Sequence, residues 1–288
     1  MKPIQISAES TIDLPKDLLA AYDIKTIPFI LVLGEKEATD GEVDGDDLFA
    51  YVEETGKLPH TSAINVKSYH DYFASLLDDA EKVIHFSLSS GITSATQNAI
   101  LASQEFGGRV IVVDTHSLST GIALQAIYAS RLARKGESAE EIVKKVMERL
   151  PYDQTSFGLE SVEYLYKGGR CSALARLGAN LLRLRPQIIM HTDTGTMTAG
   201  KKFKGKMEKW VVDYIRTTLE EFPNIDPEIG FVTYSSADPS IIETAKKMML
   251  DAGFKTVYVT KAGGTISCHC GPHCLGVLYF ADGPHPVD

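Results

Sequence analysis

A chain of 288 residues, 44% apolar and 23% charged, is long enough for two packed domains and too apolar to be disordered. Its formal net charge of −9 repels phosphate backbones, which argues against a nucleic-acid partner. Four cysteines are too few for a disulfide framework, and no run approaches the roughly 18 apolar residues of a membrane span.

The opening residues Met1-Lys2-Pro3-Ile4-Gln5-Ile6 lack the apolar stretch of a signal peptide, so a cytoplasmic protein without stable membrane insertion is expected. Residues 4–7 predict a strand. Pro15 then opens a helix, with Asp13 as its expected cap. Residues 27–33 predict one further strand. Asp46 or Asp47 is expected to cap a helix that Gly56 ends. Apolar residues at helical spacing (Tyr69, Tyr72, Phe73, Leu76, Leu77) predict a helix from Val66. Strands at 83–87 and 110–113 are separated by a helix over 93–104, and two helices follow to Leu150. Strands alternating with helices imply right-handed crossovers and a mainly parallel sheet with flanking helices.

Pro151 marks the expected boundary between an N-terminal domain, 1–150, and a C-terminal domain, 151–288. Beyond it a strand at 155–159 leads to helices around Val162 and over 174–184. Residues 188–190 and 196–198 read as a hairpin turning at Asp193-Thr194-Gly195. A long helix over 206–221 precedes strands at 230–234 and 256–259 with a helix between them, and 276–280 is a last strand. The whole is an α/β protein of two domains, the second a mixed sheet with helices.

Hydroxyl-rich runs stand where strands end. Ser87, Ser89, Ser90, Thr93 and Ser94 lie between a strand and a helix. Asp114-Thr115-His116-Ser117-Leu118-Ser119-Thr120-Gly121 repeats the layout, and Thr61-Ser62 precedes the helix at Val66. Beyond the carboxyl ends of parallel strands, helix N-termini and hydroxyls suit an anion. The same residues also make ordinary helix caps. No Gly-x-Ser-x-Gly, Gly-x-Gly-x-x-Gly or base-nucleophile triad occurs, and Gly195 to Lys202 misses a P-loop because Lys202 stands where the hydroxyl should be. Cys268-His269-Cys270-Gly271-Pro272-His273-Cys274 offers sulfur and nitrogen ligands, but without a standard Cys-x-x-Cys pair or a second ligand pair. Arg170, after Gly168-Gly169, suits a carboxylate, a phosphate or a partner surface.

Taken in order, Ser10-Thr11-Ile12-Asp13-Leu14-Pro15, Thr61-Ser62, Ser89-Ser90-Gly91-Ile92-Thr93, Val113-Asp114-Thr115, Leu165-Tyr166-Lys167-Gly168-Gly169-Arg170 and His269-Cys270-Gly271-Pro272 resemble the DegV family over nearly the full chain. Glu9, where Asp is usual, and Thr93-Ser94, where Ser-Gly is usual, depart from its pattern. The resemblance implies a non-catalytic lipid-binding subunit or carrier with one long-chain fatty acid in a tunnel between the domains. It implies that Thr61 and Thr93 hold the carboxylate, with Ser62, Ser94, Ser90 and His269 around it. It further implies that Arg170 docks a separate ATP-dependent fatty acid kinase that makes acyl phosphate. No cofactor beyond the bound acid and no metal is expected. The alternative is a metal- or small-anion-binding enzyme built on residues 268–274.

Overall fold

The computed structural model describes residues 1–171 and 185–285; the helix expected over 174–184 lies outside the described residues. Its first layer is a four-stranded parallel sheet in the order β2-β1-β6-β7, formed by β1 (Lys2–Glu9), β2 (Ile24–Ile27), β6 (Ala80–Ser87) and β7 (Val110–Asp114). The last five residues of each central strand are buried without a break because helices cover the sheet. Packed around it are α3 (Val66–Leu77), α4 (Ala95–Ser103), α5 (Thr120–Arg134) and α6 (Ala139–Arg149).

Helix α5 holds the two halves together. Ile122, Ala123, Leu124, Ala126 and Ile127 are all buried, which leaves it no solvent face of ordinary width. It touches β1 and β6 on one hand and β8, β11 and β13 of the second sheet on the other. That second sheet has six strands in the order β10-β9-β8-β13-β11-β12. They are β8 (Asp153–Leu159), β9 (Arg185–His191), β10 (Thr196–Phe203), β11 (Ile229–Tyr234), β12 (Thr256–Lys261) and β13 (Cys274–Phe280). Only the β11–β12 pair is parallel. Helices α8 (Met207–Glu221) and α9 (Pro239–Asp251) bury Trp210, Tyr214 and Met249 against Val232, Val277 and Tyr279. The α/β, two-domain class expected from the sequence is therefore the observed one.

A third, small antiparallel sheet bridges the two: β4-β3-β5, from β3 (Ile30–Leu33), β4 (Lys36–Thr39) and β5 (His60–Ser62). With α2 (Gly45–Thr55) and α10 (Gly264–Cys270) it buries Leu31, Val43, Leu48 and Cys268. The short helices α1 (Lys16–Ala21) and α7 (Glu163–Lys167) complete the fold. No helix among the described residues is long and apolar enough to cross a membrane.

Several local expectations are corrected. Residues 27–33 form two strands in different sheets, because Pro28 has no N–H to continue a ladder. Asp13 does not cap α1: it sits at φ +54, buried, with its carboxyl accepting from Ser119 Oγ and from the Gly263 amide at the start of α10. Helix α2 is capped by Asp44, which accepts from the amides of Asp46 and Asp47 while the Asp47 carboxylate accepts from the Asp44 amide. Thr61 and Ser62 lie on strand β5, and Asn65 caps α3. Strand β4 and helix α10 were not expected.

Candidate functional site

The parallel sheet ends in loops that face β8, β10, β11 and β13, and an apolar cleft of about 800 Å³, open mouth included, lies between them. Phe29, Leu88, Leu118, Phe157, Met197 and Leu278 supply much of its wall. Such a lining suits a ligand with a long apolar body. Thr61, Thr93, His269 and Arg170 also line it. Four of the residues singled out in the sequence thus converge, although they come from strand β5, the turn into α4, helix α10 and the segment after α7.

Thr61 Oγ1 and His269 Nε2 are 2.8 Å apart. Burial, then the charges of Arg170 and His60, push His269 down to about 4, so its ring is neutral near pH 7. Its Nδ1 has no hydrogen-bond partner among the described residues. Gly168 packs on that nitrogen so closely that a Cβ there would come within 2.7 Å of it. Thr93 Oγ1 accepts from the amide of Ala95 at 3.1 Å, which caps α4 and leaves the hydroxyl proton unspent. Arg170 is exposed and donates to Gly168 O at 2.6 Å. It also borders an outer vestibule with Lys57, His60 and Lys167, and Thr61 and His269 form the partition between vestibule and cleft.

Ser62, Ser90 and Ser94 are exposed, and none of the three is among the residues lining the cleft. Ser90 donates its amide to Asp114 at 3.1 Å. The neighbouring hydroxyls join the two halves: Ser89 Oγ donates to Gly195 O at 2.7 Å, and Ser117 Oγ pairs with Thr155 Oγ1 at 3.0 Å. His116 Nδ1 donates to Thr192 O at 2.6 Å on the same β9–β10 turn. The Gly195 turn is therefore a docking point for the first half, and no strand-loop-helix phosphate loop is formed there.

The cysteines of 268–274 are buried thiols. Burial pushes Cys268 up to about 12, and its Sγ donates to Pro59 O at 3.3 Å. Cys270 and Cys274 line the cleft, and the hydrogen bond between them together with burial raises Cys274 well above the ordinary range. Protonated sulfur behaves as a small apolar group. Among the described residues no group of three or more His, Cys, Asp or Glu side chains converges to hold a metal ion.

The chain matches, over residues 3–282, the family described as "Uncharacterised protein, DegV family". This chain belongs to the DegV family. A DegV domain-containing protein of Caldanaerobacter subterraneus subsp. tengcongensis is 26% identical, over 97% of this chain and 99% of that one. A protein of Thermotoga maritima named as a fatty acid-binding protein is 26% identical, over 95% of this chain and 96% of that one. The solved structure of a Thermus thermophilus DegV family protein, described with fatty acid binding, superposes with TM-score 0.88 at 26% identity, covering 97% of this chain and 99% of that one. Within this DegV chain, Thr265 and Ser119 also line the cleft. The residues of α10 do not predict a helix, so Thr265 does not stand out in the sequence; its spacing of four from His269 puts the two on one helical face.

Proposed function

We propose that this chain binds one long-chain fatty acid in the cleft between its two sheets. The observation that carries this reading is one apolar cleft in which two threonines, a neutral histidine and an arginine meet. Each buried CH₂ contributes about 0.8 kcal/mol, so a tail of ~14 methylenes supplies up to about 11 kcal/mol before ordering losses. The tail sets affinity and the polar residues set orientation. Residues 1–150 carry the head-group side chains Thr61 and Thr93, and 151–288 close the other side. The relatives named for fatty acid binding support the assignment.

The head group is held by donation. If His269 Nε2–H donates to Thr61 Oγ1, the Thr61 proton is left for a carboxylate oxygen, and the Nδ1 without a partner needs no acceptor. Thr93, whose oxygen already caps α4, donates to the same carboxylate. Arg170 adds a cation at the mouth. The carboxylate then lies behind a vestibule bordered by Lys57, Lys167 and Arg170, suited to docking an ATP-dependent kinase that forms acyl phosphate.

Denaturing extraction of purified protein, followed by lipid mass spectrometry, tests the reading: a stoichiometric long-chain acid is expected. Lipid-free protein that also fails to take up labelled palmitate or oleate contradicts it. Arg170→Ala should impair phosphorylation of the bound acid by a kinase more than it impairs acid binding.

A further inference from the structure

Helix α10 turns one face to the cleft. Thr265, Ile266, His269 and Cys270 all line it, the spacing of a single helical face. Thr265 stands four residues before His269, one turn and about 6 Å along the axis. It is 3% exposed, and its hydroxyl has no hydrogen-bond partner among the described residues. Thr265 is the second residue of α10, so the residues three and four earlier lie before the helix, and its hydroxyl finds no acceptor among them. The amides at this end of the helix are already taken, since Gly263 N donates to Asp13 at 2.8 Å and Gly264 N to Asp40 at 2.8 Å. Other hydroxyls of the lining are satisfied within the protein: Ser119 donates to Asp13, Thr233 pairs with Thr260, and Ser235 donates to Gly271 O.

A buried hydroxyl left unpaired is unfavourable, and a ligand can supply what the protein withholds. We propose that the cleft is matched to an acyl chain bearing an oxygen, as hydroxyl or ketone, on one of the first carbons after the carboxylate. The inference rests on the fatty-acid reading and on a carboxylate seated at His269. One helical turn from His269, Thr265 stands beside the chain just beyond its head group. Because a threonine hydroxyl both donates and accepts, it serves an alcohol or a ketone. Much of the remaining lining is apolar, with Leu118, Phe157 and Met197 among it, and an oxygen set against such side chains is desolvated without a partner.

Competition binding of palmitic, β-hydroxypalmitic and ω-hydroxypalmitic acids to delipidated full-length protein tests this. The β-hydroxy acid should bind about three- to tenfold tighter than palmitate, the equilibrium effect of one neutral hydrogen bond, and the ω-hydroxy acid no tighter. Thr265→Val should abolish the preference, and Thr265→Ser should retain it. Equal binding of palmitate and the β-hydroxy acid by the parent protein overturns the proposal and leaves the fatty-acid reading standing, as does a preference that survives in Thr265→Val. Failure of the parent to bind palmitate at all overturns both.

Discussion

Thr61 and His269 are separated by 208 positions in the chain, yet their side chains meet at 2.8 Å, where β5 of the small sheet runs beside α10. The pair forms only when the first and last parts of the chain come together. A hydrogen bond to a charged group contributes about 1.5–3 kcal/mol, so Thr61→Ala should weaken fatty acid binding roughly ten- to a hundred-fold. Thr93→Ala should do the same, and its lost cap on α4 should also lower stability by about 1 kcal/mol. Thr93→Ser keeps both functions and should be nearly silent. Titration of each variant with acid and methyl ester reads this out; equal affinity of the parent for acid and ester would mean that the tail alone is recognised.

Gly91→Ala should be strongly destabilising. A Cβ at Gly91 would stand 2.2 Å from the carbonyl oxygen of Gly195 and 2.5 Å from its carbon, and a backbone cannot swing aside as a side chain can. Overpacking of this kind costs about 1–3 kcal/mol, and the upper end is expected here because two elements must separate. Urea unfolding of the variant should show a lower midpoint. An unchanged midpoint would place the β6–α4 loop and the β9–β10 turn out of contact in solution.

Glu9 is buried with four donors on it. Tyr69 O–H lies at 2.6 Å, Ser87 O–H at 2.7 Å, the Leu88 amide at 2.8 Å and His85 Nε2 at 3.1 Å. Burial works to raise its pKa, but the His85 charge and the hydrogen bonds from His85, Tyr69 and Ser87 outweigh it and hold Glu9 below the ordinary carboxylate range. Glu9→Ala strands those donors and should destabilise by about 3–5 kcal/mol. Because Leu88 lines the cleft, acyl binding should weaken with it. Denaturant midpoints within error of the parent would show that water replaces the carboxylate at little cost.

What the sequence made legible was mostly local. Val110-Ile111-Val112-Val113 reads as a strand from composition, Gly56 ends α2 in the left-handed region as its identity suggests, and the Asp193-Thr194-Gly195 turn joins an observed hairpin. What escaped depended on tertiary context. Residues 24–33 break at Pro28, a local signal, but that the two pieces join different sheets is set by their tertiary partners. Apart from Ile266, helix α10 is built from Gly, Thr, Ser, Cys and His, poor helix formers that fold there because Asp13 and Asp40 receive its first amides. Thr61, Thr93, His269 and Arg170 were visible as candidates; that one cleft gathers them, and that Ser62, Ser90 and Ser94 stay outside among solvent, follows from strand pleat and loop direction.

Asp13 offers a test through pH. Burial, opposed by hydrogen bonds from Ser119 and the Gly263 amide and helped by Asp40, pushes its carboxyl from 3.8 up to about 8. Between those values the folded protein holds a proton that the unfolded chain releases. The unfolded state therefore binds fewer protons there, and stability falls as pH rises. The contribution is complete below the unfolded value of 3.8 and is lost as pH climbs through about 8. Asp13→Asn keeps the shape, with its carbonyl still accepting from Gly263 and its amide donating to Ser119, and carries no proton to lose. The parent should lose several degrees more in Tm between about pH 5 and 8 than the variant does. Groups shifted the other way act equally in both proteins, so the difference between the two curves isolates Asp13. Parallel curves would mean that Asp13 is already ionised in the folded state, with Ser119 and the Gly263 amide solvating its charge well enough to offset burial.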